Sequence, residues 1–101
     1  MKEIALCPRL SKAMELVGKR WTALIIYQLL EGPQRFNAIE SALPISGRLL
    51  SERLKELEKE GLVVRTVYSE VPIRVEYNLT DKGRSLEQAV REIETWAKNW
   101  L

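Results

Sequence analysis

Residues 46–79 read SGRLLSERLKELEKEGLVVRTVYSEVPIRVEYNL, and this stretch decides the fold. Its first half has the pattern of an amphipathic helix. At about 100° per residue, Leu49, Leu50, Leu54 and Leu57 fall on one side, and Arg48, Ser51, Glu52, Lys55 and Lys59 on the other. Ser46 suits the N-cap, and Gly61 stands just past Glu60, where a left-handed residue ends a helix. Two strands are expected next, at Leu62–Tyr68 and Ile73–Leu79, joined by Ser69-Glu70-Val71-Pro72. On the second, Ile73, Val75, Tyr77 and Leu79 share one face while Arg74, Glu76 and Asn78 share the other, the period of a half-buried strand.

A short helix precedes this unit. Asn37-Ala38-Ile39-Glu40 has the spacing of a capping box with Asn37 as the cap, and Pro44 ends that helix. Gln34-Arg35-Phe36 just before it reads as a short extended piece. Helix, tight turn, helix and β-ribbon is the order of a winged helix-turn-helix, which lays its second helix in the DNA major groove. The expected class is mainly α with a small β-hairpin (α+β), a winged helix-turn-helix with N- and C-terminal dimerisation helices.

Three further helices flank the unit. Cys7-Pro8 opens the first, with Pro8 at the first helical position. Leu10, Ala13, Met14 and Val17 follow at helical spacing, and Gly18 ends it. The second, from Arg20 to Glu31, leaves almost no polar face, which predicts a place at the centre of the core. Gly32-Pro33 stops it. Thr80 caps the last helix, with Asp81 in its first turn and a long apolar stripe of Leu86, Ala89, Val90, Ile93, Trp96, Ala97 and Trp100. Such stripes would leave large apolar patches on a monomer, so the terminal helices are expected to pack against a second copy. The alternative is that Trp96 and Trp100 fold back onto their own core.

The 101 residues are expected to form one domain, 1–101. The longest largely apolar run, Trp21 to Leu30, is broken by Gln28 and is shorter than the ~20 residues a membrane span needs. Met1-Lys2-Glu3 leads into no sustained apolar segment, so no signal peptide is expected. A single cysteine rules out an internal disulfide and fits a cytoplasmic location. With no histidine, His-containing zinc sites and Ser-His or Cys-His nucleophile pairs are excluded. The carboxylates alternate with lysines and arginines in the manner of solvated helix faces, not of a catalytic pair. No enzyme activity and no cofactor are expected. The net charge is only +2, which permits nucleic-acid binding without requiring it.

Among candidate functional residues, Arg48, Ser51, Glu52 and Lys55 lie in the first three turns of the second helix, where base edges are contacted. Arg48 suits guanine, and Glu52 suits cytosine N4. Arg35, Ser46, Arg65 and Arg74 are candidates for phosphate or minor-groove contact. An ordinary charged surface is the alternative for the helix, and a cross-strand glutamate partner the alternative for Arg74. Arg53 falls within the apolar arc and is expected to pack its stem and pair with a carboxylate. Cys7 stands where a helix begins, beside Arg9, a setting that favours a thiolate. It is a candidate redox or electrophile sensor or else a small packing residue.

These features resemble the HxlR-type regulators, a winged-helix family within the MarR-like group. The resemblance rests on Cys7-Pro8, Leu16-Val17-Gly18-Lys19-Arg20-Trp21, Glu31-Gly32-Pro33-Gln34-Arg35-Phe36, Leu49 to Glu58, Gly61-Leu62-Val63 and the specific run from Val67 to Gly83. It implies a homodimeric, cofactor-free transcriptional regulator that reads a pseudo-palindromic operator in double-stranded DNA with helix 46–60, uses the hairpin as a wing and dimerises through its terminal helices. It also implies that a cysteine at the place of Cys7 senses thiol-reactive stress in some members. Two departures stand out. The turn Leu43-Pro44-Ile45-Ser46 is one residue shorter than the family's Leu-Pro-Gly-Ile-Ser. Gly18-Lys19-Arg20-Trp21 replaces Gly-Gly-Lys-Trp, adding a charge for a phosphate contact or for solvent. Two other readings remain. One is a protein-interaction module, since Arg48, Arg53, Lys55 and Lys59 balance Glu52, Glu56, Glu58 and Glu60. The other is a regulator answering a small-molecule effector at its dimer interface.

Overall fold

A computed structural model of the chain describes residues 5–101, so Met1-Lys2-Glu3, on which the signal-peptide expectation rests, lies outside the described residues. The elements run α1 (Pro8–Val17), α2 (Thr22–Leu29), α3 (Phe36–Ala42), α4 (Gly47–Lys59), β1 (Val63–Tyr68), β2 (Arg74–Leu79), α5 (Asp81–Arg84) and α6 (Glu87–Trp100). The two strands pair antiparallel, from Val63 opposite Leu79 to Tyr68 opposite Arg74. Gln34 adds an isolated bridge to Tyr77, with N–H to carbonyl distances of 2.9 and 2.7 Å. The short extended piece foreseen at 34–36 is therefore a stub of third strand beside the wing.

The core gathers where α2, α3, α4 and the base of the hairpin meet. Ile25, Ile26 and Leu29 of α2, Ile39 of α3, Leu50, Leu54 and Leu57 of α4, and Leu62, Val63 and Leu79 are all buried. Ile45 joins them from the shortened turn. Ser46 then caps α4, accepting from Leu49 N–H at 3.2 Å. An added Cβ at Gly47 would lie 2.5 Å from Glu40 Oε2 and 3.8 Å from the Phe36 ring. The shorter turn is accommodated by burying Ile45, and at Gly47 only the mobile end of the Glu40 side chain would have to shift to admit a Cβ.

Several expectations need correction. Asn37 is not the cap: α3 begins at Phe36, with Arg35 in the N-cap position and no side-chain bond there. Phe36 packs partly buried against the core, which draws the helix start ahead of Asn37. The strands begin one residue later than expected, and Ile73 lies outside β2 and exposed. Helix α2 is narrower than Arg20–Glu31, and it does have an outer side, because Leu24 and Tyr27 are exposed.

The final helix is broken in two at Ser85-Leu86. Gly83 is buried in α5, and a Cβ there would fall 2.1 Å from the carbonyl oxygen of Leu62, so only glycine lets α5 sit this closely. Thr80 Oγ1 donates to the Gly61 carbonyl and accepts from Gly83 N–H at 3.1 Å, while Lys82 Nζ donates to the Glu60 carbonyl at 2.7 Å. These bonds dock α5 on the Glu60 and Gly61 carbonyls just past the C-terminal end of α4. The chain then redirects into α6.

Candidate nucleic-acid interface

Helix α4 owes its place to three buried leucines on one side, which turn Arg48, Glu52, Lys55 and Lys59 outward. Ser51 is half-buried at the edge of that face. Arg48 has 91% of its side chain exposed, and its only ion pair among the described residues is a long one, 3.7 Å to Glu52 one turn on. Such a pair contributes little and frees the guanidinium at small cost. Four of the expected reading residues thus share one surface of one rigid helix.

The other candidates are dispersed. Arg35 is exposed at the start of α3, and Arg65 is exposed on β1 opposite Tyr77. Neither forms an ion pair among the described residues. Ser46 is exposed, but its hydroxyl oxygen is committed to the cap of α4.

Arg74 is held tightly by its own wing. Its Nε and Nη2 meet the two carboxylate oxygens of Glu70 at 3.2 and 3.0 Å, and its Nη1 lies 3.0 Å from Glu76. Its guanidinium stacks 3.8 Å from the centre of the Tyr68 ring, the true cross-strand neighbour. Hydrogen bonding to Arg74 holds the Glu70 carboxyl below its usual range, and the same contacts raise the arginine. The glutamate partners therefore come from the hairpin bend and from two residues along β2, not from across the strand.

Arg53 behaves as expected, with 17% of its side chain exposed and Nη1 3.4 Å from Glu56. Lys19, the added cation of the α1–α2 turn, goes neither to solvent alone nor to a free phosphate-facing position, because its Nζ lies 3.1 Å from Glu56 Oε2. Cys7 is exposed and acts as the N-cap of α1, its Sγ accepting from Leu10 N–H at 3.4 Å.

The terminal helices complete the surface. Neither α1, with 10 residues, nor α6, with 14, buries a single residue. Leu10, Met14, Ile93, Trp96 and Trp100 are all more than half exposed. An apolar cavity of about 250 Å³ opens between α1, α2 and α6, lined by Met14, Val17, Ala23, Ile26, Val90 and Ile93 among others. Sequence periodicity did not reveal one link across this region: Tyr27 on α2 donates to Glu94 on α6, with Arg91 beside the ring. The bond to Glu94 raises the Tyr27 phenol above its ordinary value.

The model of the HxlR-like helix-turn-helix family matches residues 16–101, from the end of α1 to the end of the chain. The chain belongs to that family. Among curated relatives, the uncharacterized HTH-type transcriptional regulator YvaP of Bacillus subtilis is 56% identical, over all of this chain and 94% of its own length. The transcriptional regulator YodB of the same organism is 46% identical, over 91% of this chain and 83% of its own. The solved reduced form of YodB superposes with a TM-score of 0.84 over 95% of each chain, at 44% identity. YodB has also been crystallised after diamide treatment and with quinone bound. The redox regulator HypR in its oxidized form gives a TM-score of 0.86 at 37% identity, over 92% of this chain and 96% of its own. The HxlR-like winged helix-turn-helix expected from the sequence is thus the fold of this chain. Among the described residues, no helix is long and apolar enough to cross a membrane, and no group of three Cys, Asp or Glu side chains gathers as a metal site.

Proposed function

We propose that this helix-turn-helix transcriptional regulator is a single-domain (residues 1–101), cytoplasmic, non-enzymatic homodimer that reads a pseudo-palindromic operator with α4. The observation that carries this reading is the exposed α4 face of Arg48, Ser51, Glu52 and Lys55, set on three buried leucines directly after a tight turn. Arg48 reads guanine and Glu52 accepts from cytosine, which requires only the opening of their weak mutual pair. Arg35, Ser46 and Arg65 contribute backbone contacts. Arg74 gives its charge to Glu70 and Glu76 and shapes the wing.

Dimerisation through α1 and α6 is supported by the two helices' lack of any buried residue and by the exposure of Trp96 and Trp100. A second copy covers these groups and closes the apolar cavity. Cys7 gates binding as a thiol sensor. In support, it is exposed, it caps α1 at the edge of the proposed interface, and YodB and HypR have been solved in more than one redox or adduct state. With no second cysteine in the chain, oxidation ends in an intermolecular disulfide, a mixed disulfide or an oxyacid.

The test is anisotropy titration of a duplex that the wild-type protein enriches from a random 30-base-pair pool, in rising salt. The expected result is enrichment of an inverted repeat and an affinity that falls linearly with log salt, because neutralised phosphates release counterions. Absence of any enriched duplex at low salt would favour the protein-interaction module.

A further inference from the structure

The α1–α2 turn and the flank of α4 meet in a charged clamp. One carboxylate oxygen of Glu56 takes Lys19 Nζ at 3.1 Å, and the other takes Arg53 Nη1 at 3.4 Å. Arg53 Nε donates to the backbone carbonyl of Arg20 at 3.2 Å. Glu56 thereby bridges a cation of the turn and a cation of its own helix, and Arg53 closes the loop through the main chain. Only 17% of the Arg53 side chain is exposed, against 91% for Arg48 on the open face, so salt and solvent screen the Arg53 leg of the clamp less than the Lys19–Glu56 leg, which lies nearer the surface.

The turn held by this clamp is conformationally costly. Trp21 has φ 81, in the left-handed region that a bulky residue rarely occupies. Such a conformation persists only where its surroundings fix it. Here the Arg20 carbonyl is bound by Arg53, Thr22 N–H reaches the Lys19 carbonyl at 3.3 Å, and the Arg20 guanidinium lies 4.9 Å from the centre of the Trp21 ring. Lys19 is also the cation by which this chain departs from the Gly-Gly-Lys-Trp of the resemblance.

We propose that Arg53, Glu56 and Lys19 are positioning residues for DNA reading, fixing the orientation of α4 against the α1–α2 turn so that Arg48, Glu52 and Lys55 meet their bases. This inference rests on the reading of α4 as the recognition helix. None of the three touches a base in this account. Glu56 gives the sharpest distinction, because its effect on binding has opposite signs under the two explanations. Removing an acid beside bound DNA strengthens binding on charge grounds alone, whereas removing a positioning residue weakens it.

The experiment titrates the duplex enriched by the wild-type protein, and an unrelated duplex of equal length, with wild type, Glu56→Gln, Arg53→Met and Lys19→Met, at a temperature where near-ultraviolet circular dichroism shows each folded. Glu56→Gln is expected to bind the enriched duplex about tenfold more weakly, the size of a typical coupling between neighbouring charged groups. Its affinity for the unrelated duplex is expected to hold or rise. Arg53→Met is expected to lose affinity only for the enriched duplex and to keep the salt slope of wild type, whereas loss of a phosphate contact weakens both duplexes and lowers the slope by about one. If Arg53→Met does not fold, Glu56→Gln decides, since it keeps the shape of the side chain while removing its charge and turning one of the two accepting oxygens into an NH2 that cannot accept from Lys19 or Arg53. Undiminished binding by Glu56→Gln, or parallel losses on both duplexes by Arg53→Met, overturns the clamp while leaving α4 as the reader. Failure of wild type to enrich any duplex overturns the reading of α4 itself, and the clamp with it.

Discussion

The centre of this molecule and its two ends are all built from helices rich in apolar residues, yet only the central helices fully bury apolar side chains within one chain. Helix α4 buries Leu50, Leu54 and Leu57, and α2 buries Ile25, Ile26 and Leu29. Helices α1 and α6 contain no fully buried residue, only Leu16 and Val90 packing partly buried against the core. The difference separates what folds the single chain from the faces that the proposed dimer would cover. The buried apolar side chains gather in the α2–α3–α4–hairpin core, whereas Met14, Ile93, Trp96 and Trp100 are more than half exposed.

The largest expected effect lies in the core. Leu54→Ala should lower unfolding stability by about 2–5 kcal/mol, through lost burial and the cavity left behind, as measured by urea denaturation. A loss below about 1 kcal/mol would mean that the centre is less well packed than its burial indicates.

The next effect moves to the ends. The pair Ile93→Asp and Trp96→Asp should leave a folded monomer, because neither residue is buried in one chain, but should abolish the dimer seen by ultracentrifugation. Wild type should sediment at a mass near twice 11.7 kDa. Collapse of the fold in the double variant would instead place α6 in the monomer's own core, erasing the contrast between centre and ends.

On the reading face, Arg48→Ala should cost about 1–3 kcal/mol on the enriched duplex and relax base preference at one position per half-site. Anisotropy titration against base-substituted duplexes checks both. Unchanged affinity would remove Arg48 from the reading set.

The smallest effects are those of pH. Glu70 is held below its usual range by Arg74, so its contribution is present above the ordinary carboxylate range and is lost as pH falls through the depressed value. Tyr27 is raised by Glu94, so its contribution is complete below the ordinary phenol range and is lost as pH rises through the raised value. Both groups are solvent-exposed, so Glu70→Gln and Tyr27→Phe should each flatten one limb of a melting-temperature profile only slightly. A large change on either limb would give the wing, or the α2–α6 contact, a share of stability that belongs to the core here.

The same contrast sorts what could be read in the sequence. Periodicity revealed α4, β2 and the stripe of α6, and in α4 the spacing follows from burial of one face at Leu50, Leu54 and Leu57. The N-cap roles of Ser46 and Thr80 were legible because short polar side chains satisfy free helix N–H groups locally. The start of α3 was misread because burial of Phe36 overrode the capping spacing at Asn37. The break at Ser85-Leu86 was not legible, because α5 packs against a segment distant in sequence, with Gly83 close to the Leu62 carbonyl. At the interface, the exposed face of α4 followed from the leucines opposite it. The clamp from Lys19 to Glu56 spans 37 residues of chain and leaves no local signature. The capture of Arg74 by Glu70, Glu76 and Tyr68 depends likewise on how the hairpin bends.

The measurement that bears most directly on the central claim is the mass of the protein–DNA complex by sedimentation equilibrium, using the duplex that the wild-type protein enriches, with the thiol of Cys7 reduced. Two chains on each duplex, with binding lost in parallel with the dimer in the Ile93→Asp and Trp96→Asp variant, is the predicted result. One chain per duplex at saturation, or full affinity in a monomeric variant, would contradict the assignment of the terminal helices to a DNA-reading dimer.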